Sequence, residues 1–356
     1  MTPRPQLDAL TAARGVAAWM VVLYHVRSGM PWLPDAVMRV LDKGYLAVDF
    51  FFLLSGFVIW LSAHEAFAAQ GWRAYPTFLR RRAARIYPLY ATMLALTTGF
   101  AVLLNMTGRD ADNYPWAELP LHIMMLQNWG FTDALSWNHP AWSISTEFAA
   151  YLLFPLLVLA TPIARMPRWA LGLSIAATIA LMAAWLHGAG LADLGQDVPG
   201  YGLIRCLAEF SAGCMLCALW LRGADILPRI VAVGAGVGAA LCWGIDVTSE
   251  LSAFPLIAAC LIYLIGDASH AGLRLWRPLV ILGEISYATY LVHFMLFIWF
   301  KIAVVRNAAD IPPHQIALFL ILTLLASMLL HHGVEKPGRR LSAHALVRGD
   351  KLPARI

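Results

Sequence analysis

Apolar residues run along this chain in ten long stretches separated by polar, turn-rich segments. They fall near 8–26, 44–63, 86–105, 141–161, 168–187, 203–221, 228–246, 251–266, 284–304 and 315–332. An α-helix needs about 20 apolar residues to cross the hydrocarbon of a bilayer, whereas a membrane strand needs only about ten alternating ones. The pattern therefore predicts an all-α, polytopic integral membrane bundle of about ten transmembrane helices. The first stretch is followed by further spans, so it reads as an anchor rather than a cleaved leader. Two connecting segments invite structure of their own. Residues 64–85 read as a surface helix ending in the basic run FLRRRAAR. Residues 106–140, with Asp110, Asp112, Glu118 and several aromatics, read as a partial lid.

Composition strengthens this picture. Of 356 residues, 60% are hydrophobic and 13% charged, against about 25% charged in a soluble domain. Water alone cannot solvate such a surface, so the lipid bilayer is the expected partner. A net charge of +5 invites comparison with nucleic-acid binders, but its distribution follows the loops. With the N-terminus in the cytoplasm, inside segments hold eighteen Lys and Arg. Outside segments hold five, Arg27, Arg39, Lys43, Arg109 and Arg306. Basic residues favour the cytoplasmic side, so both termini are expected to be cytoplasmic and no nucleic acid is expected as a partner. The chain divides into a transmembrane domain, 1–340, and a basic cytoplasmic tail, 341–356. Cys206, Cys214, Cys217, Cys242 and Cys260 all lie in or beside apolar stretches. No second pair or His cluster completes a zinc site, so no metal is expected.

Ionisable groups within spans are costly and mark functional candidates. Arg14 and His25 lie eleven residues apart on the first span, which at 100° per residue returns them to within roughly 20° of one face. The bland alternatives are an Arg snorkelling to the inner surface and an interfacial His. Asp49 enters the second span at a depth similar to His25, where a carboxylate can orient an imidazole as a general base or simply cap a helix. Ser55 and Gly56 read as a close-packing pair rather than a nucleophile, because the surrounding residues do not form G-x-S-x-G. Trp142, Ser143 and Glu147 open the fourth span from the same side, and Arg205 stands near enough to neutralise a carboxylate there. Arg82 and Arg85, three apart on one helix face, suit a phosphate, or anchor the helix as ordinary inside positives. His293 falls mid-span, either hydrogen-bonded in the core or lining a pore. Glu335 ends the last span beside arginines, which favours a structural salt bridge.

A basic cluster at the cytoplasmic side and a His with carboxylates at the outer side suit a donor with a phosphate-rich head and a threaded reactive end, as in acyl-coenzyme A. A secondary transporter also places such groups along a path, although it commonly shows inverted repeats, and none is evident. A non-catalytic scaffold or flippase partner in polysaccharide assembly stays open too.

The ordered motifs LTAARGVAAWMVVLYH, VDFFFLLSGF, RRRAARIYPLY, WSISTEFAAYLLFP, ISYATYLVHF and VEKP resemble the membrane-bound acyltransferase-3 family over most of the chain. The resemblance implies a ten-span core in the bacterial inner membrane. It also implies transfer of an acetyl or other short acyl group from acyl-CoA to a hydroxyl. The acceptor is usually a carbohydrate: O-antigen, peptidoglycan, exopolysaccharide, lipo-oligosaccharide or a macrolide sugar. Polysaccharide-assembly proteins are possible partners. His25 matches the family's catalytic His, with Asp49 or Glu147 to orient it. Arg14, Arg82 and Arg85 match functional positions, the last two associated with the acyl donor; Arg14 is expected both to line the donor channel and, with a helix N-terminus as the alternative, to act catalytically by stabilising the oxyanion. Trp142, Ser143, Ser55, His293 and Glu335 are acceptor or structural candidates. Two positions depart from the family pattern. Ala47 stands where Gly is frequent, and Phe148 stands where a second Glu is frequent.

Overall fold

The computed structural model describes residues 7–223, 226–270 and 277–340. Arg4, Arg274 and the basic tail 341–356 lie outside them. Every regular element among the described residues is helical. Ten helices have 18 residues or more: α1 Asp8–Val26, α2 Ala47–Gln70, α3 Tyr75–Met106, α4 Trp142–Ala160, α5 Arg168–Gly188, α6 Val198–Trp220, α7 Ile226–Gly244, α8 Glu250–His270, α9 Ser286–Ala303 and α10 Pro313–Leu330. Among the described residues, eight segments are long and apolar enough to cross a membrane. One of them, Asp35–Met106, contains both α2 and α3, and a shorter apolar helix spans Pro228–Gly244. Leu173, Leu181, Trp185, Leu241 and Leu329 are each more than 60% exposed on outward faces. In water such surface would drive aggregation. In lipid it meets hydrocarbon, while intrahelical hydrogen bonds satisfy the backbone.

The 64–85 segment differs from the expected surface helix. α2 continues to Gln70, a tight turn at Gly71–Ala74 reverses the chain, and α3 begins at Tyr75. Pro76 sits in the first turn, where a missing N–H costs nothing. No glycine or proline then intervenes before Pro88. The basic run is therefore the first turns of α3 itself, continuous with its apolar part. At Pro88 the helix continues, and Thr92 Oγ1 donates to the Pro88 carbonyl at 2.9 Å.

Small residues set the helix spacing. α2 and α6 touch backbone to backbone: a Cβ on Gly56 would lie 1.9 Å from the Phe210 carbonyl oxygen, and one on Gly213 2.0 Å from that of Leu53. Small interfacial residues are the usual means of close approach between membrane helices. α1 is seated the same way on the short helix Arg277–Glu284, where Gly283 meets the Thr11 carbonyl, and it also packs on α9. The 106–140 segment folds over one end of the bundle, with short helical turns at Trp116–Glu118 and Leu119–Ile123. Asn138 Nδ2 ties it to the Leu291 carbonyl of α9 at 3.0 Å, and Trp129 Nε1 to the Ser145 carbonyl of α4 at 3.0 Å.

Candidate functional site

The polar groups expected within spans converge on two chambers. The first, about 830 Å³ including its open mouth, is lined by Arg14 of α1, Arg82 and Arg85 of α3, Ser55 of α2, and Ser143, Glu147 and Tyr151 of α4, with Ser286 and Tyr287 of α9. Arg14 Nη2 donates to Ser286 Oγ at 3.0 Å. Arg82 Nε is buried without a hydrogen-bond partner. A buried, unsatisfied guanidinium N–H is costly unless a ligand meets it. Three guanidiniums against one carboxylate leave the chamber positive. That carboxylate, Glu147, is committed: Ser55 Oγ and Tyr151 Oη both donate to its Oε1, the latter at 2.5 Å.

The second chamber, about 790 Å³ measured the same way, is lined by His25 of α1, His139 and Leu135 of the 106–140 segment and its junction with α4, Trp142, Arg205 and Tyr290, among others. Val48 and Tyr290 line both chambers and so form the wall between them. Tyr290 Oη lies 2.7 Å from Ser143 Oγ, which itself donates to the Pro140 carbonyl at 3.1 Å. The phenol therefore donates to the serine. Neither Tyr290 nor Tyr151 was singled out in the sequence. Their polar tips follow helical spacing, Tyr290 three before His293 and Tyr151 four after Glu147, which is the signal that would have found them.

His25 is oriented by an imidazole, whereas the sequence suggested a carboxylate. Its Nδ1 lies 2.9 Å from the Val21 carbonyl and 3.2 Å from Nε2 of His293, whose own Nδ1 lies 3.1 Å from the Thr289 carbonyl. Carbonyl oxygens only accept, so each ring carries its proton on Nδ1. His293 Nε2 is then a bare acceptor facing the His25 Nδ1–H, and His25 Nε2 keeps its lone pair. Phe294 packs edge-on against His25, with His139 stacked on its other side at 4.7 Å.

Asp49 lies fully buried at the α2–α6 contact, where Arg205 donates to its Oδ1 from Nη2 at 2.6 Å and from Nε at 3.2 Å. Arg205 does neutralise a carboxylate, and that carboxylate is Asp49. Glu209, one turn along α6 from Arg205, is buried beside the pair. Its spacing of four from an intramembrane Arg was the available signal. Glu335 closes a π-helical turn, His331–Glu335, at the end of α10; His331 Nδ1 lies 2.7 Å from it and Arg339 donates to it. Trp142 and Ser143 diverge, the indole to the second chamber and the hydroxyl to the first. Among the described residues no three His, Cys, Asp or Glu side chains are grouped to hold a metal ion.

These helices and chambers define a multi-pass membrane protein with a polar interior divided in two. Comparison with known proteins supplies the rest. The model of the acyltransferase-3 family, an acyltransferase domain, matches residues 7–332, and the chain belongs to that family. It is an O-acyltransferase enzyme. It is 31% identical to Acyltransferase MdmB of Streptomyces mycarofaciens over 96% of this chain and 94% of that protein. It is 24% identical to O-acetyltransferase OatA of Staphylococcus aureus and 25% identical to the putative peptidoglycan O-acetyltransferase YrhL of Bacillus subtilis, each over 94% of this chain. The chain spans 57% of OatA and 55% of YrhL. No solved structure matches.

Proposed function

We propose that this enzyme moves an acetyl or other short acyl group from acyl-CoA, bound from the cytoplasm, to a hydroxyl of a carbohydrate on the other side of the bacterial inner membrane. Glycan acceptors include O-antigen, exopolysaccharide and peptidoglycan, and polysaccharide-assembly proteins are plausible partners. The observation that carries the reading is the pair of chambers meeting at Val48 and Tyr290, one rich in guanidinium, the other holding an imidazole with a free lone pair. Counting α2 and α3 separately and including α7 gives ten crossings with both termini in the cytoplasm.

Arg82 and Arg85 would hold phosphate oxygens of the donor, since guanidiniums bind phosphate bidentately. Arg14 belongs to the same end. About 16 Å of helix rise separates it from His25, so it serves the donor and not the reacting oxygen. The pantetheine arm lies along the first chamber and presents the thioester at the wall between the two. His25 Nε2 takes the proton of the acceptor hydroxyl as that oxygen attacks the thioester carbonyl. The C–S bond breaks, and the proton passes to the departing thiolate, so no proton is consumed overall. Glu147 holds Ser55 and Tyr151 in place along the donor path, while Asp49 fixes Arg205.

The test is transfer of label from radiolabelled acetyl-CoA to a crude envelope-glycan fraction by the protein in nanodiscs. His25→Ala should lose about 10²–10⁴-fold of the rate, the usual worth of general-base help. Full activity in a well-folded His25→Ala protein overturns the scheme. Acylation of a small molecule such as an antibiotic sugar is the second reading, equally compatible with an acyltransferase domain. Supplying the acceptor to one face of sealed vesicles at a time separates the two.

A further inference from the structure

The charges and ring planes around His25 restrict which acceptor fits, an inference that rests on the acyltransfer reading above. The second chamber is walled by aromatic side chains: Tyr24, Tyr45, His139, Trp142, Tyr290 and Phe294. Among the described residues Arg205 is the one side chain of fixed charge in that lining, and it is 1% exposed. Asp49 takes its Nε and Nη2 hydrogens, while Nη1 has no partner. The guanidinium carbon lies 5.6 Å from the centre of the Trp142 ring. Trp142 is held in turn by Phe52, edge-on at 5.7 Å, and by Gly202, where an added Cβ would come within 2.9 Å of the indole.

Cations near the mouth are also committed. Lys43 Nζ pairs with Glu250 at 2.5 Å, and Arg27 Nε with Asp42 at 2.5 Å. Two buried carboxyl groups, Asp49 and Glu209, face the single guanidinium of Arg205. A ligand carboxylate or phosphate would shed its water without gaining an unneutralised cation, which is a steep desolvation cost. A neutral ring loses far less. Its C–H faces suit flat aromatic surfaces, a pattern typical of small-molecule pockets.

We propose that this chamber binds an uncharged sugar ring against its aromatic lining, Trp142 included, and that it rejects sugars carrying a carboxylate or phosphate on that ring. Arg205, neutralised by Asp49, and the aromatic Trp142 are thus specificity-determining residues, and a hydroxyl of the same ring meets His25.

Binding can be read without turnover. p-Nitrophenyl glucoside, galactoside and mannoside, with the corresponding uronides, are titrated into the protein in nanodiscs, and quenching of tryptophan fluorescence is followed. The expected result is saturable binding of at least one neutral glycoside and binding of its uronide weaker by about tenfold or more. Leu135→Lys adds an unpaired cation to the wall without touching the Asp49–Arg205 pair and should narrow that gap. Trp142→Leu should weaken glycoside binding while leaving acetyl-CoA binding unchanged. Equal or tighter binding of the uronides, or no binding by any neutral glycoside, overturns the proposal. Glycoside binding with no acetyl transfer to any acceptor overturns the acyltransfer reading alone; acetyl transfer to glycan without glycoside binding overturns the chamber assignment alone.

Discussion

A general base must keep one lone pair free and hold its ring still. His25 meets both conditions because His293 and the Val21 carbonyl share its Nδ1 proton. Replacing His293 with Ala removes one of those holds and leaves the chemistry of His25 intact. We expect kcat to fall roughly tenfold, the KM for acetyl-CoA to stay level, and His293→Gln, which can still accept a hydrogen bond, to recover part of the loss. Steady-state kinetics with the acyl donor varied would show the split. The opposite split is expected at the other chamber. Arg82→Ala and Arg85→Ala, made singly, should each raise the KM for acyl-CoA by roughly ten- to a hundredfold, since a hydrogen bond to a charged group is worth about 1.5–3 kcal/mol. An unchanged KM would remove these arginines from the donor site. Arg14 and His25 were legible in the sequence because an ionisable residue in an apolar helix is conspicuous by its cost. Their partners were less so. Periodicity says which face of α1 turns inward but not whether α2 or α9 lies against it. The nearest candidate in the sequence, Asp49, belongs instead to Arg205, 156 residues away.

At the scale of elements, the α2–α6 contact is the least forgiving. Overpacking usually costs about 1–3 kcal/mol, and at Gly56 the obstructing atom is a backbone carbonyl that cannot rotate aside. Gly56→Val should therefore lower the thermal stability of the detergent-solubilised protein sharply. Gly99→Ala, where nothing lies within 4 Å of the added carbon, should leave it unchanged. The segment over the second chamber carries its own sensitivity. His122 is 3% exposed and lies 3.0 Å from Ser136 Oγ. Burial, with a smaller contribution from His139, holds its pKa down to about 4. A histidine depressed in the folded state binds fewer protons there than in the unfolded chain. Its neutral form is compatible with the fold above pH 6.5, and stability is lost as pH falls from there toward 4. The loss is about 2 kcal/mol at pH 5. Melting temperature against pH should show this decline, and His122→Asn should flatten it. The lid was legible from its aromatics and acids. The extension of α3 through the basic run was not, because Arg-rich sequence reads equally well as a surface helix or as the foot of a spanning one.

Across the whole molecule, direction in the membrane follows from loop charge. In a cysteine-free background, single cysteines at Asp110 and at Arg165 should react with a membrane-impermeant maleimide from opposite faces of intact cells and inverted vesicles. Labelling of both from one face would undo the proposed topology, and with it the assignment of donor and acceptor sides. The all-helical, multi-span character was readable from apolar length alone. The division of the interior was not, since it depends on two side chains from helices far apart in sequence. That division has an electrical consequence. If, as in the proposed topology, the two chambers open to opposite faces and fill with water, the membrane voltage would be concentrated across the thin partition of Val48 and Tyr290. An elementary charge crossing it would exchange about 2.3 kcal/mol per 100 mV. In the proposed scheme the partition would be the insulator that keeps the proton gradient while an acyl group is handed across, and Tyr290→Gly should turn a tight vesicle into one that leaks protons.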